Sequence, residues 1–362
     1  MLCIFAFIIF LILFPIMGFF PEYRKLFARS WQCVFKKVTL QPCDINLGAE
    51  LKNKLLGKFI FKYPKTVKFF DKTFTFWAFL FVALNIWSLV YAGLAGLNLW
   101  VYDTCDPVSG EGCSLSGEAC GVASTAITFD QAVKDNKLGT WATQPFTTFA
   151  ETVSKVPNRF TNWEPKNYLP SDPSYYQKYD DSKKTALEAI DPSCVYCAKL
   201  FSNIKESKFY QKYNLTFLIY PIPSPTNASG YKFQHSYLMA RYVQATKKVA
   251  LKEAQVPGEW QLIEKFFTAK GDYNDKLQDD FKTTFDKAQA EAKIKVLLKE
   301  IGYTDNEVVQ ITTIANSEQT KNDLAAQKDI VENKIKTIKI PTIMFNGRRF
   351  DRVVDADYLS KN

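Results

Sequence analysis

Two long stretches without any charged residue limit what this chain can fold into more than any other feature. Residues 2–20 and 73–102 are rich in apolar side chains and contain no Asp, Glu, Lys or Arg. A transmembrane helix needs about 20 consecutive apolar residues, so the first stretch suffices and the second exceeds the requirement. The stretches exclude a plain soluble globule and predict two transmembrane helices, with the lipid bilayer as a partner.

The first stretch could instead be a cleaved signal peptide. It has no basic residues ahead of the apolar run and no cleavage site made of small residues. Both features are typical of secretory signals, so their absence favours a retained anchor over residues 1–20.

The charge distribution predicts how the anchor is oriented. The chain carries a net charge of +9, and +8 of it falls within residues 21–72, the loop between the two apolar stretches. Short loops rich in Lys and Arg stay in the cytoplasm, so residues after about 103 are expected outside the plasma membrane. Because those residues are close to neutral, we predict no nucleic-acid partner.

One cysteine pair has the spacing of a redox site. Cys194-Val195-Tyr196-Cys197 lies between a predicted strand, 185–190, and a predicted helix, 198–210. A thiol at a helix N-terminus meets the positive end of the helix dipole, which favours the thiolate. Disulfide exchange needs an exposed attacking thiol, here Cys194, and a second thiol behind it, Cys197, to resolve the mixed disulfide. Half of a zinc ribbon has the same spacing, but no second such pair completes it, and we predict no metal.

The chain has six other cysteines: Cys3, Cys33, Cys43, Cys105, Cys113 and Cys120. The two in the basic loop are expected to be free thiols in the reducing cytosol. Of the three that follow the second apolar stretch, two are expected to form a structural disulfide in an oxidising compartment. The remaining one could pair with Cys3 or act as an exchange partner.

A second feature far downstream complements the cysteine pair. Residues 336–345 include several β-branched side chains on both sides of Pro341, which is typical of a strand. Asn346-Gly347 follows and is a strong signal for a type I′ hairpin. A proline at the start of a sheet strand needs a special reason, and a cis peptide bond next to a redox cysteine pair is one.

With these features in place, residues 185–358 resemble a thioredoxin-fold domain, and more narrowly the DsbA-like thiol–disulfide oxidoreductases. The resemblance covers about half of the chain. It rests on Glu188 before the first cysteine, on the cysteine pair at a strand-to-helix turn, and on Ile340-Pro341-Thr342 before the hairpin. The long helical interval between the second strand and this loop also matches, with helices predicted at 235–253, 259–268, 281–301, 306–316 and 317–334.

The predicted fold class is therefore α/β, a thioredoxin-like domain with a helical insertion, preceded by two transmembrane helices. The predicted divisions are 1–20 (first span), 21–72 (cytoplasmic loop), 73–102 (second span), 103–182 (a cysteine-containing segment and an aromatic tether) and 183–362 (the thioredoxin-like domain, with its insertion at about 233–335).

The resemblance implies a role for each matching residue. Cys194 would be the nucleophile and Cys197 the resolving thiol, while Glu188 would be a buried carboxyl that takes a proton from Cys197. Pro341 would be cis and face the disulfide, which leaves the backbone of Ile340 able to pair with an extended substrate.

Three further residues belong to the predicted substrate site: Val195, Tyr196 and Thr342. The dipeptide between the cysteines differs from the Gly-Pro of reducing thioredoxins and from the Pro-His of strong oxidases. That dipeptide largely sets the stability of the thiolate, so an intermediate reduction potential is expected.

The function predicted from sequence is a membrane-anchored protein disulfide oxidoreductase, without cofactor, that donates disulfides to reduced or misoxidised extracytoplasmic proteins. A membrane redox partner is expected, because two helices are too few for a quinone-coupled system. Two alternatives stay open: a reductase or isomerase supplied with electrons by a membrane partner, and a non-catalytic thioredoxin-like binding or chaperone module.

Overall fold

The computed structural model describes Phe76, Leu80 and residues 87–101, 119–121, 129–225, 227–252, 254–337 and 339–362. The predicted first span, the basic loop and most of the segment 103–128 lie outside these residues. The chain divides into two compact units, Met1–Leu94 and Ala95–Asn362. Of the predicted second span, residues 87–101 are helical. No helix within the described ranges is both long enough and apolar enough to cross a bilayer.

The second unit contains the elements that position the site. Its strands are Cys120–Gly121 (β1), Lys184–Ile190 (β2), Tyr213–Ile219 (β3), Lys339–Ile340 (β4), Thr342–Phe345 (β5) and Arg348–Phe350 (β6). Its α-helices are Phe129–Lys134 (α1), Leu138–Lys155 (α2), Val195–Glu206 (α3), Phe209–Lys212 (α4), Ser236–Thr246 (α5), Gly258–Thr268 (α6), Leu277–Asp279 (α7), Lys287–Ile301 (α8), Asp305–Ala315 (α9), Glu318–Asp329 (α10) and Ala356–Lys361 (α11). Short 3₁₀-helices span Val156–Arg159 and Pro165–Tyr168, and π-helical turns span Asp280–Thr284 and Ile330–Ile335.

The central sheet has four strands in the order β3-β2-β5-β6. Strands β2 and β3 are parallel and are connected through α3 and α4, whereas β5 is antiparallel to β2 and β6 is antiparallel to β5. A strand–helix–strand unit joined to an antiparallel hairpin is the core of a thioredoxin-like domain. The predicted α/β fold with this core is confirmed.

The hairpin between β5 and β6 forms as its sequence predicts. Asn346 and Gly347 have φ values of 50° and 70°, and Phe345 pairs with Arg348 across the turn. Positive φ at both central residues is the requirement of a type I′ turn, which Asn and Gly meet at low cost. The turn fixes the register of β5, the strand that begins directly after Pro341.

The helices between β3 and β4 pack against the same core as the sheet. The fully buried indole of Trp260 in α6 contacts Phe217 of β3 edge to face, with the ring centroids 4.7 Å apart. The same indole lies 6.4 Å from Phe201 of α3 and 5.3 Å from Tyr176. This aromatic cluster fixes the insertion to the helix that carries the cysteine pair.

Two of the predicted insertion helices are shorter than expected. The predicted helix 281–301 is broken, because the side chain of Asp286 caps a new helix at α8 and forms a capping box with Gln289. The predicted helix 235–253 ends at Thr246, where the chain turns and the carbonyl of Val249 accepts a hydrogen bond from the Tyr303 hydroxyl at 3.0 Å. That carbonyl would otherwise accept the amide four residues later in a continuing helix.

Candidate active site

Cys194 is the N-cap residue of helix α3, and Cys197 lies in its first turn. The amide of Cys194 donates to the carbonyl of Asp191 at 3.0 Å, and the amide of Cys197 donates to the carbonyl of Cys194 at 3.1 Å. Residues 191–193 form the predicted turn between strand and helix. The first sulfur therefore stands at the positive end of the helix dipole, where a thiolate is stabilised.

Asp191 anchors the turn that presents the cysteine pair. Its carboxylate is fully buried and accepts three hydrogen bonds: from the amide of Ser193 at 2.8 Å, the hydroxyl of Ser236 at 2.6 Å and the amide of Ile222 at 2.8 Å. Burial raises the pKa of Asp191 to about 6, against the opposing effect of the hydrogen bonds. The sequence indicated a turn here but not that its aspartate connects the loop to the segment that follows β3 and to the start of α5.

The helical insertion also contacts the cysteine loop directly. The side-chain amide of Gln278 in α7 donates to the carbonyl of Pro192 at 2.9 Å and lies 3.3 Å from the carbonyl of Cys194. Gln278 is buried, so these contacts are shielded from water and fix the loop against the insertion. Sequence reasoning did not identify Gln278, since a glutamine in a helical stretch has no distinguishing signal.

Cys197 is a free thiol, completely buried behind Cys194. Burial raises its pKa well above the usual range, and the nearby carboxyl of Glu188 raises it further. The amide of Asp191 lies 3.5 Å from the Cys197 sulfur, a contact that favours the thiolate but is outweighed. A thiol with a raised pKa in this position is protonated at neutral pH.

Glu188 lies in the middle of β2 and is 1% exposed. No donor among the described residues reaches its Oε1 atom. Burial without a compensating charge raises its pKa to about 8. The buried position of Glu188 matches the prediction from sequence, while its role as a proton acceptor stays a prediction.

The Ile340–Pro341 peptide bond is cis, as predicted. The sulfur of Cys194 lies 3.7 Å from the carbonyl oxygen of Ile340, so the proline loop and the cysteine pair meet despite a sequence separation of 146 positions. The structure thus brings together Cys194, Cys197, Glu188 and the proline loop.

A polar network holds the proline loop in place. The hydroxyls of Thr337 and Thr342 lie 2.8 Å apart, and that of Thr342 donates to the Lys339 carbonyl at 2.7 Å. The Oδ1 atom of Asp351 lies 2.9 Å from the same Thr342 hydroxyl, and the Asp351 carboxylate accepts two hydrogen bonds from the guanidinium of Arg349. Thr342 is fully buried, so the structure places this predicted substrate-binding side chain inside the loop.

The two residues between the cysteines, Val195 and Tyr196, are half-buried at the start of α3. They follow Cys194 directly in the chain and keep part of their surface accessible. Their part in binding substrate stays a prediction.

The pairing of the cysteines differs from what the sequence indicates. Cys194 forms a disulfide with Cys120, 74 positions earlier, rather than with Cys197. The prediction that Cys194 is exposed is therefore wrong: it is completely buried, because Cys120 and the proline loop cover it. Of the three cysteines from which a structural pair was expected, Cys120 is bonded outside that group, to the predicted nucleophile, while Cys105 and Cys113 lie outside the described residues.

Comparisons with known proteins give structural likeness only. No family model matches the chain, and no curated protein matches it. The solved structures that resemble it include the thiol-disulfide exchange protein alpha-DsbA2 from Wolbachia pipientis, with 15% identity over 52% of this chain and 84% of that one and a TM-score of 0.36. The thiol-disulfide oxidoreductase MdbA from Corynebacterium diphtheriae has 12% identity over 52% and 93%, with a TM-score of 0.38. ScsC from Proteus mirabilis, in a transitional conformation, has 13% identity over 64% and 92%, with a TM-score of 0.36. These likenesses are too distant to carry an argument about this chain's chemistry.

Proposed function

We propose that this chain is a protein disulfide oxidoreductase of the DsbA-like type, with Cys194 as the attacking thiol and Cys197 as the resolving thiol. The observation that carries the proposal is the meeting of Cys194, at the N-terminus of α3, with the cis-proline loop at Ile340–Pro341. A sulfur stabilised as thiolate beside a backbone edge that can pair with a strand can form a mixed disulfide with an extended polypeptide. The buried thiol of Cys197 is then placed to displace that polypeptide.

We propose further that the direction of exchange is oxidation, with reduced or misoxidised proteins as substrates. Donation follows from thiol–disulfide exchange: a substrate thiolate attacks the Cys194–Cys197 disulfide, and the substrate's second thiol displaces Cys194. The position of Cys194 at the N-terminus of α3 stabilises its thiolate and therefore the reduced form of the pair. A more stable reduced form makes the disulfide more oxidising.

The reduction potential of the pair tests this direction. The full-length chain, purified in mild detergent, is equilibrated against glutathione buffers, and the cysteines are trapped by acid quench and alkylation. We expect a potential above that of thioredoxin, roughly −270 mV, and oxidation of a reduced model protein in stoichiometric amounts. A potential at or below that value would favour the reductase alternative. Failure to exchange with any thiol would favour the non-catalytic module.

We propose that the chain is anchored in the plasma membrane with its thioredoxin-like domain on the extracytoplasmic side, where it meets its substrates and a membrane redox partner. The proposal rests on the two charge-free stretches and on the +8 loop between them. The helical residues 87–101 also leave apolar side chains exposed, among them Leu89, Val90 and Trp100.

Native cysteines offer a test of the orientation. In cells that express a variant whose only cysteines are Cys33 and Cys43, a membrane-impermeant maleimide is expected to label the chain only after the membrane is permeabilised. In a matched variant whose only cysteine is Cys105, we expect labelling of intact cells. Labelling of the basic loop in intact cells would contradict the proposed orientation.

A further inference from the structure

Cys120 and Gly121 lie along the backbone edge of the proline loop, where the proposed function places a substrate strand. Strand β1, Cys120–Gly121, pairs antiparallel with β4, the edge that ends at the cis proline, with Cys120 opposite Ile340 and Gly121 opposite Lys339. The ammonium group of Lys232 donates to the carbonyl of Gly121 at 3.0 Å. Cys120 is 6% exposed and its sulfur is bonded to Cys194.

This segment is bound in the way expected of a cysteine-containing substrate in a mixed disulfide. It is extended, its backbone pairs with the proline edge, its carbonyl accepts from a lysine, and its cysteine is bonded to Cys194. Main-chain pairing supplies affinity that does not depend on sequence, and the sulfur–sulfur bond selects the cysteine. A bridge that served only to tie two loops together would not need pairing to the proline edge. The site is therefore built for a cysteine-containing strand, and its present occupant is residues 119–121.

We propose that Cys120 is a third redox-active cysteine, and that residues 119–121 are a resident competitor for the substrate groove, released when Cys197 attacks Cys194. In that step the sulfur of Cys197 bonds to the sulfur of Cys194 while the Cys120–Cys194 bond breaks. The electron pair of the broken bond stays on Cys120, which takes up the proton that Cys197 gave up. No oxidant or reductant is consumed, since three sulfurs share one disulfide throughout.

The exchange defines two oxidised forms of the chain. In the self-occupied form, Cys120 is bonded to Cys194 and the groove is blocked. In the open form, Cys194 is bonded to Cys197 and the groove is free for a substrate strand. Burial and the Glu188 carboxyl keep Cys197 protonated, which slows its attack and lets the self-occupied form persist. Substrate exchange is then reduced in proportion to the open fraction.

This inference rests on the proposed function for the chemistry at Cys194, but its pairing can be measured without any substrate. The full-length chain is oxidised in glutathione buffers of graded poise, quenched in acid, alkylated and digested, and the two disulfide-linked peptides are quantified by mass spectrometry. We expect both the Cys120–Cys194 and the Cys194–Cys197 peptides, in a ratio that re-equilibrates after mild reduction and reoxidation. Cys197→Ala should leave only the first, and Cys120→Ser only the second.

The rate of exchange supplies the second readout. Cys120→Ser is expected to oxidise a reduced model protein faster than the unchanged chain, by a factor equal to the reciprocal of the open fraction found by mass spectrometry. The matched control is Cys113→Ser, a cysteine seven positions away in the same segment, which should leave the rate unchanged. Circular dichroism of each variant verifies that the domain is folded.

The possible outcomes separate this inference from the proposed function. The inference is overturned if the Cys120–Cys194 peptide is absent. It is also overturned if the Cys120–Cys194 bond never exchanges with Cys197 and Cys120→Ser leaves the rate unchanged. Neither result contradicts the proposed oxidoreductase function. A different result would separate them in the other direction. If the two peptides interconvert in the unchanged chain, but the folded Cys120→Ser chain neither oxidises nor reduces a model protein, the three-sulfur exchange is supported and the proposed function is overturned.

Discussion

A chain that carries Cys194→Ser is expected to lose protein disulfide exchange by a factor on the order of 10³ or more, because the residue that forms the covalent intermediate is gone. Serine keeps the N-cap position of α3 but cannot form or break a sulfur–sulfur bond. The measurement is the oxidation of a reduced model protein with two cysteines, followed by alkylation and gel shift. Retained exchange in a folded Cys194→Ser chain would remove the basis of the proposed function.

Two comparisons make the loss specific to the site. Cys33→Ser makes the same substitution in the basic loop and is expected to leave the rate unchanged. Cys197→Ala combined with Cys120→Ser leaves Cys194 as the only thiol of the site, which should attack a disulfide of a misoxidised model protein. One substrate sulfur then bonds to Cys194 and the other leaves as a thiol, so a mixed disulfide forms that the chain cannot resolve. Recovery of that mixed disulfide, absent from the corresponding Cys194→Ser chain, identifies which of the two sulfurs attacks first.

Much of the site could be predicted because its parts are encoded locally. The spacing of Cys194 and Cys197 at a strand-to-helix turn, and a proline ahead of an Asn-Gly hairpin, are each visible within about ten residues. The capping box of Thr304 and Glu307 and the C-cap at Gly302 depend on equally local sequence signals. Local rules suffice where a few neighbouring residues decide the backbone conformation.

The parts that sequence reasoning missed depend on tertiary contacts. Nothing in the residues around Cys120 shows that its partner lies 74 positions away, since three nearby cysteines allow several pairings. An aspartate before a proline predicts a turn, but nothing in the neighbouring residues shows that Asp191 also accepts hydrogen bonds from Ile222 and Ser236. Gln278 reaches the cysteine loop only because the insertion folds back on it. These roles arise only when the domain is packed, and no periodic pattern or residue spacing in the sequence indicates them.

The buried carboxyl of Glu188 leads to the second large effect, on stability. An acid whose pKa rises from 4.5 to about 8 on folding binds, between those pH values, a proton that the unfolded chain has released. The free energy of unfolding therefore falls as pH rises from about 4.5 to 8. At pH 7 the loss is on the order of 3 kcal/mol, since each pKa unit corresponds to about 1.4 kcal/mol. Asp191 adds a loss of the same sign, but mainly below pH 6.

Glu188→Leu is expected to raise the free energy of unfolding at pH 7 by that same order of magnitude and to remove its decline between pH 6 and 8. Glu188→Gln is the matched variant: its amide cannot ionise, so the decline should also vanish, but a buried amide leaves a smaller gain in stability. Urea unfolding of the oxidised full-length chain, followed by circular dichroism across this pH range, measures both quantities. A decline that persists in either variant would show that another group titrates.

The same two variants decide whether the carboxyl is retained for chemistry. Both remove the group expected to accept the proton of Cys197, so both should slow the release of a mixed disulfide formed at Cys194, and the pH dependence of that step between 6 and 8 should flatten. Resolution is measured by stopped alkylation in the Cys120→Ser background, where no resident strand competes. If the variants are more stable but resolve mixed disulfides more slowly, the buried carboxyl destabilises the fold and is needed as the proton acceptor for Cys197. A more stable chain with unchanged resolution would exclude Glu188 from the reaction.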